Sequence, residues 1–414
     1  MNDTSFVPDP PQLTFAERDR RWGLLREMMR RNDIECLLVP PASHRYPADQ
    51  YFTNSIPGCT VLLPRDSDPV AFHRGASVAG SWLQARDWNE GDWIEDMRFG
   101  PRVALAVEFL KERGLTNARI GTIAALGGPN LAPVGWTPHG MWTSLSAALP
   151  DVTWVEMWDE FMPIWLSKSD EEVALYRYAS DVCETVCQTM LDMTRAGVSE
   201  SEIYAAMMRD YYRHCATPAH DLFIHSGTDN LSWDAPRWLY RAQKPKVIQQ
   251  GDVVMSEIML VVGGIEGQAQ MCIGVGDVHD NYHRAAAVAR ESYDAAIKTI
   301  RAGVPFGDVA EAMQEPLRQA GAWHLTPHVH SCTPLTLVSP VTEDLDPSVK
   351  NSFKRVDQLG GACLDVILEP GMSIQLEPNA AFGRQQVNIG GNVLVTETGC
   401  EELNELPNHM RFVS

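Results

Sequence analysis

Two glutamates interrupt what would otherwise be uninterrupted apolar strands. Glu257 closes the segment Gly251-Asp-Val-Val-Met-Ser-Glu257 and lies inside the apolar run 253–262, while Glu377 closes Leu368-Glu-Pro-Gly-Met-Ser-Ile-Gln-Leu-Glu377 just before Pro378. An ionised carboxylate is costly to bury unless it is paired, coordinated or protonated. Two strands that each carry one such group at an apolar edge point to a carboxylate pair suited to general acid–base work. If the two lie close together, one should titrate high, because adjacent carboxylates resist double ionisation. Taken singly, each also reads as a surface glutamate at a strand end. Three histidines stand at 324, 328 and 330. On a strand, 328 and 330 point the same way, whereas 324 and 328 align only on a helix, which Pro327 disfavours. They are either satisfied core or surface imidazoles, or ligands and proton carriers for the glutamates. His279 and His283, amid Asp277, Asp280 and Asn281, read as a solvated helix entry.

These residues need elements to hold them. Residues 13–165 alternate between helix and strand patterns: a helix over 15–31, strands at 36–39, 60–63 and 69–72, a helix over 103–113 and a strand near Ile120. The alternation implies an α/β N-terminal domain, 1–165, with a Gly- and Pro-rich loop at 127–140. Beyond Trp165 the pattern changes. Ser169-Asp-Glu-Glu172 and Ser199-Glu-Ser-Glu202 are capping boxes that each open a helix, and Arg195-Ala-Gly-Val198 ends the first of these helices. The same tetrapeptide returns as Arg301-Ala-Gly-Val304, again between two helical patterns and again ahead of a His-bearing apolar stretch. This reads as an internal duplication, so the second domain, 166–414, should be α+β with two similar halves and a cleft between them.

Composition narrows the function. Of 414 residues, 54 are acidic and 34 basic, a net charge of −20 that repels phosphate backbones and anionic headgroups. Neither nucleic acid nor membrane is expected as a partner; the longest apolar run, 253–264, falls short of the roughly 20 residues of a bilayer span. The start of the chain has no basic-then-apolar pattern of a signal peptide. Nine cysteines, odd in number and without a C-x-x-C pair, suit reduced thiols in a cytoplasmic enzyme, with Cys183 and Cys187 as buried small side chains.

The segments 15–22, 166–172, Gly251-Asp252, Glu369-Pro-Gly-Met372, Glu377-Pro378 and Val393-Leu-Val-Thr-Glu397 with Gly399 resemble, in order, the landmarks of the pita-bread family of methionine aminopeptidase, prolidase, aminopeptidase P and creatinase. The resemblance covers nearly the whole chain and implies the two-domain branch, a pita-bread C-terminal domain with pseudo-twofold duplication, and a homodimer whose first domain helps close the partner's cleft. The family's metallopeptidases hold two metal ions with Asp, Asp, His, Glu and Glu. Carried over, these positions fall on Glu257, Gln268, His330 (a shift to His328 being the alternative), Glu377 and Gly390. A glycine has no ligand atom, and a neutral amide is a poor bridge between two cations. The second histidine and the glutamate of the peptidase pattern fall on Leu337 and Val338. Ordinary peptidase activity is therefore not expected.

Creatinase, a metal-free member, is the precedent for what remains. The resemblance then implies a hydrolase acting, without cofactor or metal, on an amide or amidine-type C–N bond of a small polar metabolite. Glu257 and Glu377 would bind the nitrogen and share a proton, His330 would transfer protons, and Gln268, Gln270 and His328 would orient substrate. Creatinase's histidine position falls near Asp234, so Asp234, His225 or His220 would supply a base, with Trp233, Trp238 and Tyr240 as pocket walls or as packing. The alternatives are a mononuclear metal site on Glu257, His330 and Glu377 serving a prolidase-like hydrolase or lyase, and an inactive binding protein.

Overall fold

The structure is a computed structural model that describes residues 6–41, 48–87, 91–125, 137–342 and 345–414. The chain forms two units, Gln12–Leu166 and Ser167–Ser414, with the segment up to Pro11 joined to the second. That last point differs from the expected division. The ring of Phe6 lies 5.0 Å from that of His214 and beneath the Arg213 guanidinium, and these contacts tie the N-terminal segment to the C-terminal unit.

In the first unit the order is α1 (Phe15–Arg31), β1 (Cys36–Val39), α2 (Ala48–Thr53), β2 (Thr60–Pro64), β3 (Val70–His73), α3 (Gly75–Asp87), β4 (Asp96–Phe99), α4 (Arg102–Glu112), β5 (Arg119–Thr122), α5 (His139–Ala148), β6 (Thr153–Glu156) and α6 (Trp158–Leu166). The strands form one sheet in the order β4-β3-β2-β1-β5-β6. Every residue of β1, β2 and β3 is buried, so these strands read as continuous apolar runs. The Thr14 hydroxyl caps α1, whose Trp22, Leu25, Met28 and Met29 are buried. Of the loop expected at 127–140, residues 127–136 lie outside the described residues, and from His139 the chain is already helical.

The second unit continues with α7 (Asp170–Met193), α8 (Glu200–Arg213), β7 (Thr217–Pro218), β8 (Phe223–Gly227), β9 (Val253–Val262), β10 (Ile265–Val275), α9 (Asp280–Thr299), α10 (Phe306–Ala320), β11 (Val329–Ser331), α11 (Pro347–Lys350), β12 (Ser373–Leu376), β13 (Asn379–Phe382), β14 (Gln385–Asn388), β15 (Asn392–Val395), β16 (Cys400–Glu402) and β17 (Arg411–Val413). Both capping boxes form as the sequence predicts. No described helix is long and apolar enough to cross a membrane.

The duplication is visible bond by bond. After α7, Gly197 N–H donates to Ile248 O and Ile248 N–H to Val198 O; after α9, Gly303 N–H donates to Leu368 O and Leu368 N–H to Val304 O. The turns into the strands match as well. Gly251 and Gly371 both adopt φ +87°, and their amides donate to Val275 and Val395 respectively. Five residues beyond Asp252 stands Glu257, and five beyond its counterpart Met372 stands Glu377. The two glutamates are equivalent positions of the repeat. Counting back from Val275 and Val395 makes Gln270 and Gly390 equivalent too, and the structure pairs these two in an antiparallel bridge, with Gln270 N–H donating to Gly390 O at 2.9 Å.

Candidate active site

Glu257 on β9 and Gln270 on β10 are direct cross-strand partners, so their side chains leave the sheet on the same face. The opposite face of β10 is taken by α7, which lies so near Gly267 that a Cβ there would stand 3.0 Å from the Ala179 backbone. Gln268 and Gln270, out of phase with Gly267, face away from that helix. The Gln270 amide nitrogen donates to Glu377 Oε2 at 2.9 Å and to Glu257 Oε1 at 3.4 Å. One neutral amide thus joins the two repeat-related carboxylates, which are 5% and 2% exposed.

Gln270 is itself held. Gln375 Nε2 donates to Gln270 Oε1 at 2.5 Å and to the backbone oxygen of Leu376 at 2.9 Å. Gln375 is the ladder partner of His330 on β11, which sets His330 on the strand beside this chain of amides. The His330 ring is buried, with Nδ1 3.0 Å from Ser331 O. Gln268 Nε2 donates to Glu266 at 3.3 Å, and among the described residues its buried Oε1 has no hydrogen-bond partner. Cys272, two residues beyond Gln270, is fully buried, and burial pushes its thiol up to about 12. It stays protonated and is no nucleophile.

Other expected site residues lie elsewhere. His328 stands just before β11, where its backbone oxygen accepts from Glu377 N–H at 2.8 Å, and its ring is bonded to other partners. Asn379 N–H donates to His328 Nδ1 at 3.4 Å, so Nε2 carries the proton and donates to Gln314 Oε1 at 2.9 Å. Both ring nitrogens are occupied, which removes His328 as a substrate ligand. Burial, and the His324 ring stacked on it at 4.2 Å, hold His328 well below the ordinary imidazole range, so it is neutral. The stacking also overturns the expectation that 324 and 328 align only on a helix; here the loop around Pro327 brings them face to face.

His225 Nε2 meets the backbone oxygen of Asp234 at 2.6 Å, and the exposed Asp234 carboxylate accepts from Ala235 N–H. Neither bonds to Glu257 or Glu377, so neither is placed as their base. Trp233 packs edge-on against Phe223 at 6.0 Å, in an apolar cluster with Ala219, Met259 and Val261. Phe223 is the cross-strand partner of Glu257, which puts Trp233 one ring removed from the glutamate. His220 touches Phe223 from another side and, with Asp221, Asp234, Arg237, Tyr240 and Arg241, lines an open cavity of about 450 Å³.

The C-terminal unit thus brings two glutamates together at the meeting line of a duplicated half-domain. The pattern of metallopeptidase family M24 matches residues 174–397, and the chain belongs to that family. It is 21% identical to creatinase of a Bacillus species over 418 aligned positions, covering 96% of this chain and 92% of that protein. It is 36% identical to methionine aminopeptidase of Methanothermobacter thermautotrophicus over 75 residues, 18% of this chain and a quarter of that one. The X-Pro aminopeptidase of Thermotoga maritima superposes with a TM-score of 0.74 at 16% identity, over 95% of this chain and 99% of that structure, which establishes the shared fold.

The family name implies metal, and the residues present do not fit a dinuclear centre. At Gly390, φ is +130° and a side chain begun there would run into the backbone oxygen of Leu376, so this position has neither a ligand nor room for one. The position on Gln268 is neutral. Among the described residues, no group of three or more His, Cys, Asp and Glu is disposed to hold a metal ion.

Sequence reasoning missed Gln375, Gln314 and Asn379. Gln375 had a signal: it stands two residues before Glu377 on a strand, hence on the same face. Gln314 had none, because its partner His328 is reached only through the fold.

Proposed function

We propose that the protein is a creatinase-like hydrolase that cleaves an amide or amidine-type C–N bond of a small polar metabolite without a metal ion. The observation that carries this reading is the Gln270 amide donating to both Glu257 and Glu377. In this reading a neutral hydrogen-bonding group binds the two carboxylates that would otherwise face cations. The glutamates receive the N–H groups of the substrate and fix its nitrogen. Water adds its oxygen to the carbon of the scissile bond while His330 takes one of its protons; the C–N bond breaks, and that proton passes to the departing nitrogen. Gln270 holds the two glutamates in place, and Gln268 orients the substrate through its side-chain oxygen.

The test is turnover of a panel of amides, ureas and amidines by enzyme stripped with a strong chelator. The expected result is unchanged activity with less than a tenth of an equivalent of metal by elemental analysis. Activity that disappears on stripping and returns with manganese, iron or zinc would support a mononuclear site on Glu257, His330 and Glu377 instead. Binding without turnover of any member would support an inactive family member. Nine free cysteines support a cytoplasmic location. We take the protein to act as a homodimer, and a monomer by light scattering would count against that.

A further inference from the structure

Resting on this reading of Glu257 and Glu377 as the substrate-binding pair, we propose that Gln375 is a positioning residue that fixes the hydrogen-bond polarity of the site, making it a receptor for planar N–H-bearing cations.

A side-chain amide has a donor end and an acceptor end that are nearly the same shape, and only its partners decide which way it faces. The backbone oxygen of Leu376 has nothing to donate, so the end of Gln375 facing it is the NH2 group. That same NH2 group donates to Gln270, which makes the end of Gln270 facing Gln375 its oxygen. The NH2 group of Gln270 then faces the two glutamates, and each meets it with an acceptor oxygen. A single main-chain carbonyl thereby sets the orientation of two amides and the acceptor role of two carboxylates. Glu257 Oε1 and Glu377 Oε2 are held in the unprotonated state at those atoms.

The same polarity extends to the rest of the site. Among the described residues the buried oxygen of Gln268 has no hydrogen-bond partner, and its nitrogen is already engaged, so it offers an acceptor only. A ligand that donates from several N–H groups complements this face. A carboxylate, which donates nothing, does not, and a neutral amide does so only in part.

Acetamidinium, acetamide and acetate are nearly isosteric and carry charges of +1, 0 and −1. Calorimetric titration of the whole protein, in chelator, should show acetamidinium binding about tenfold or more tighter than acetamide, with no heat from acetate. In Gln375→Leu the preference for acetamidinium over acetamide should fall by about tenfold at unchanged circular dichroism. In a Gln270→Leu background, adding Gln375→Leu should change nothing further, because Gln375 acts through Gln270. Gln375→Met serves as the second variant if the leucine form does not fold. Acetate binding as well as acetamidinium, an undiminished preference in the Gln375 variants, or additive effects in the double variant would each overturn the proposal. None of these readings depends on turnover, so a failure of the hydrolase assignment is distinguishable.

Discussion

The two halves of the C-terminal unit share the turns that lead into their glutamate strands and differ at the pair of positions where they meet. In the first half, β10 carries Gln270, whose side chain reaches across to both glutamates; at the equivalent place in the second half stands Gly390, with no side chain. The difference is a consequence of crowding at the line where the halves meet. Gln270 and Gly390 face each other in the bridge, and Leu376 O occupies the space that a side chain at 390 would need. Only one of the two repeats can supply a group there. The asymmetry turns a pair of equivalent carboxylates into a site with a defined centre.

The comparison predicts its own breaking points. The largest effect is expected for Gly390→Glu, which restores the family's ligand type on paper. We expect a loss of more than about 4 kcal/mol in denaturant unfolding, or no folded protein, and no metal uptake by elemental analysis. Stable protein that binds metal would sink the crowding argument. Next, Glu257→Gln and Glu377→Gln should each lower kcat on whichever compound the panel identifies by roughly 10²–10⁴-fold, and by similar factors, since the two positions are equivalent in the repeat. A large effect at one and none at the other would show that the equivalence is geometric only.

A third prediction contrasts the histidine that the fold buries with the one on the site strand. Because His328 is held well below its ordinary value of 6.5, the folded state disfavours its protonation and the unfolded chain takes up the proton more readily. Its contribution to stability is complete above about pH 6.5 and declines as the pH falls below that value, by up to about 1.4 kcal/mol per pH unit. Denaturant midpoints measured from pH 5 to 8 should fall on the acid side in the wild type, and His328→Asn should flatten that slope. The smallest effect concerns Gly197 and Gly303, which lie in the turns that follow α7 and α9, four residues beyond the helix ends expected to close on them, with φ +90° and +85° and open space where a Cβ would stand. Alanine at either should cost about 1 kcal/mol, through backbone conformation alone. The two values should agree within about 0.5 kcal/mol by chemical denaturation, and unequal values would show that the halves differ in more than the central pair.

Much of this was legible in the residues. Repeated Arg-Ala-Gly-Val, two capping boxes and two turn-strand-glutamate segments specify the duplication and the helix starts, because each depends on bonds within a few residues. The family resemblance sets Gly390 and Gln268 at ligand positions, and that neither carries a charged ligand atom was legible whatever the fold. The placement of the imidazoles was not. His328 and His330 look alike in sequence, yet one is locked between Gln314 and Asn379 and the other lies beside Gln375. Spacing describes only neighbours along the chain, and those partners come from a helix fourteen residues away and a strand fifty-one residues away.

The sequence by itself determined the capping boxes, the repeated turns, the two turn-strand-glutamate segments and the lack of a side chain at Gly390, because these follow from residue type and short-range bonding. The tertiary structure decided that Gln270 alone spans both carboxylates, that Gln375 and a main-chain carbonyl orient it, and that Gly390 must stay bare. Each of these rests on strands distant in sequence coming within hydrogen-bond or van der Waals reach, where direction and room are fixed by packing and not by composition.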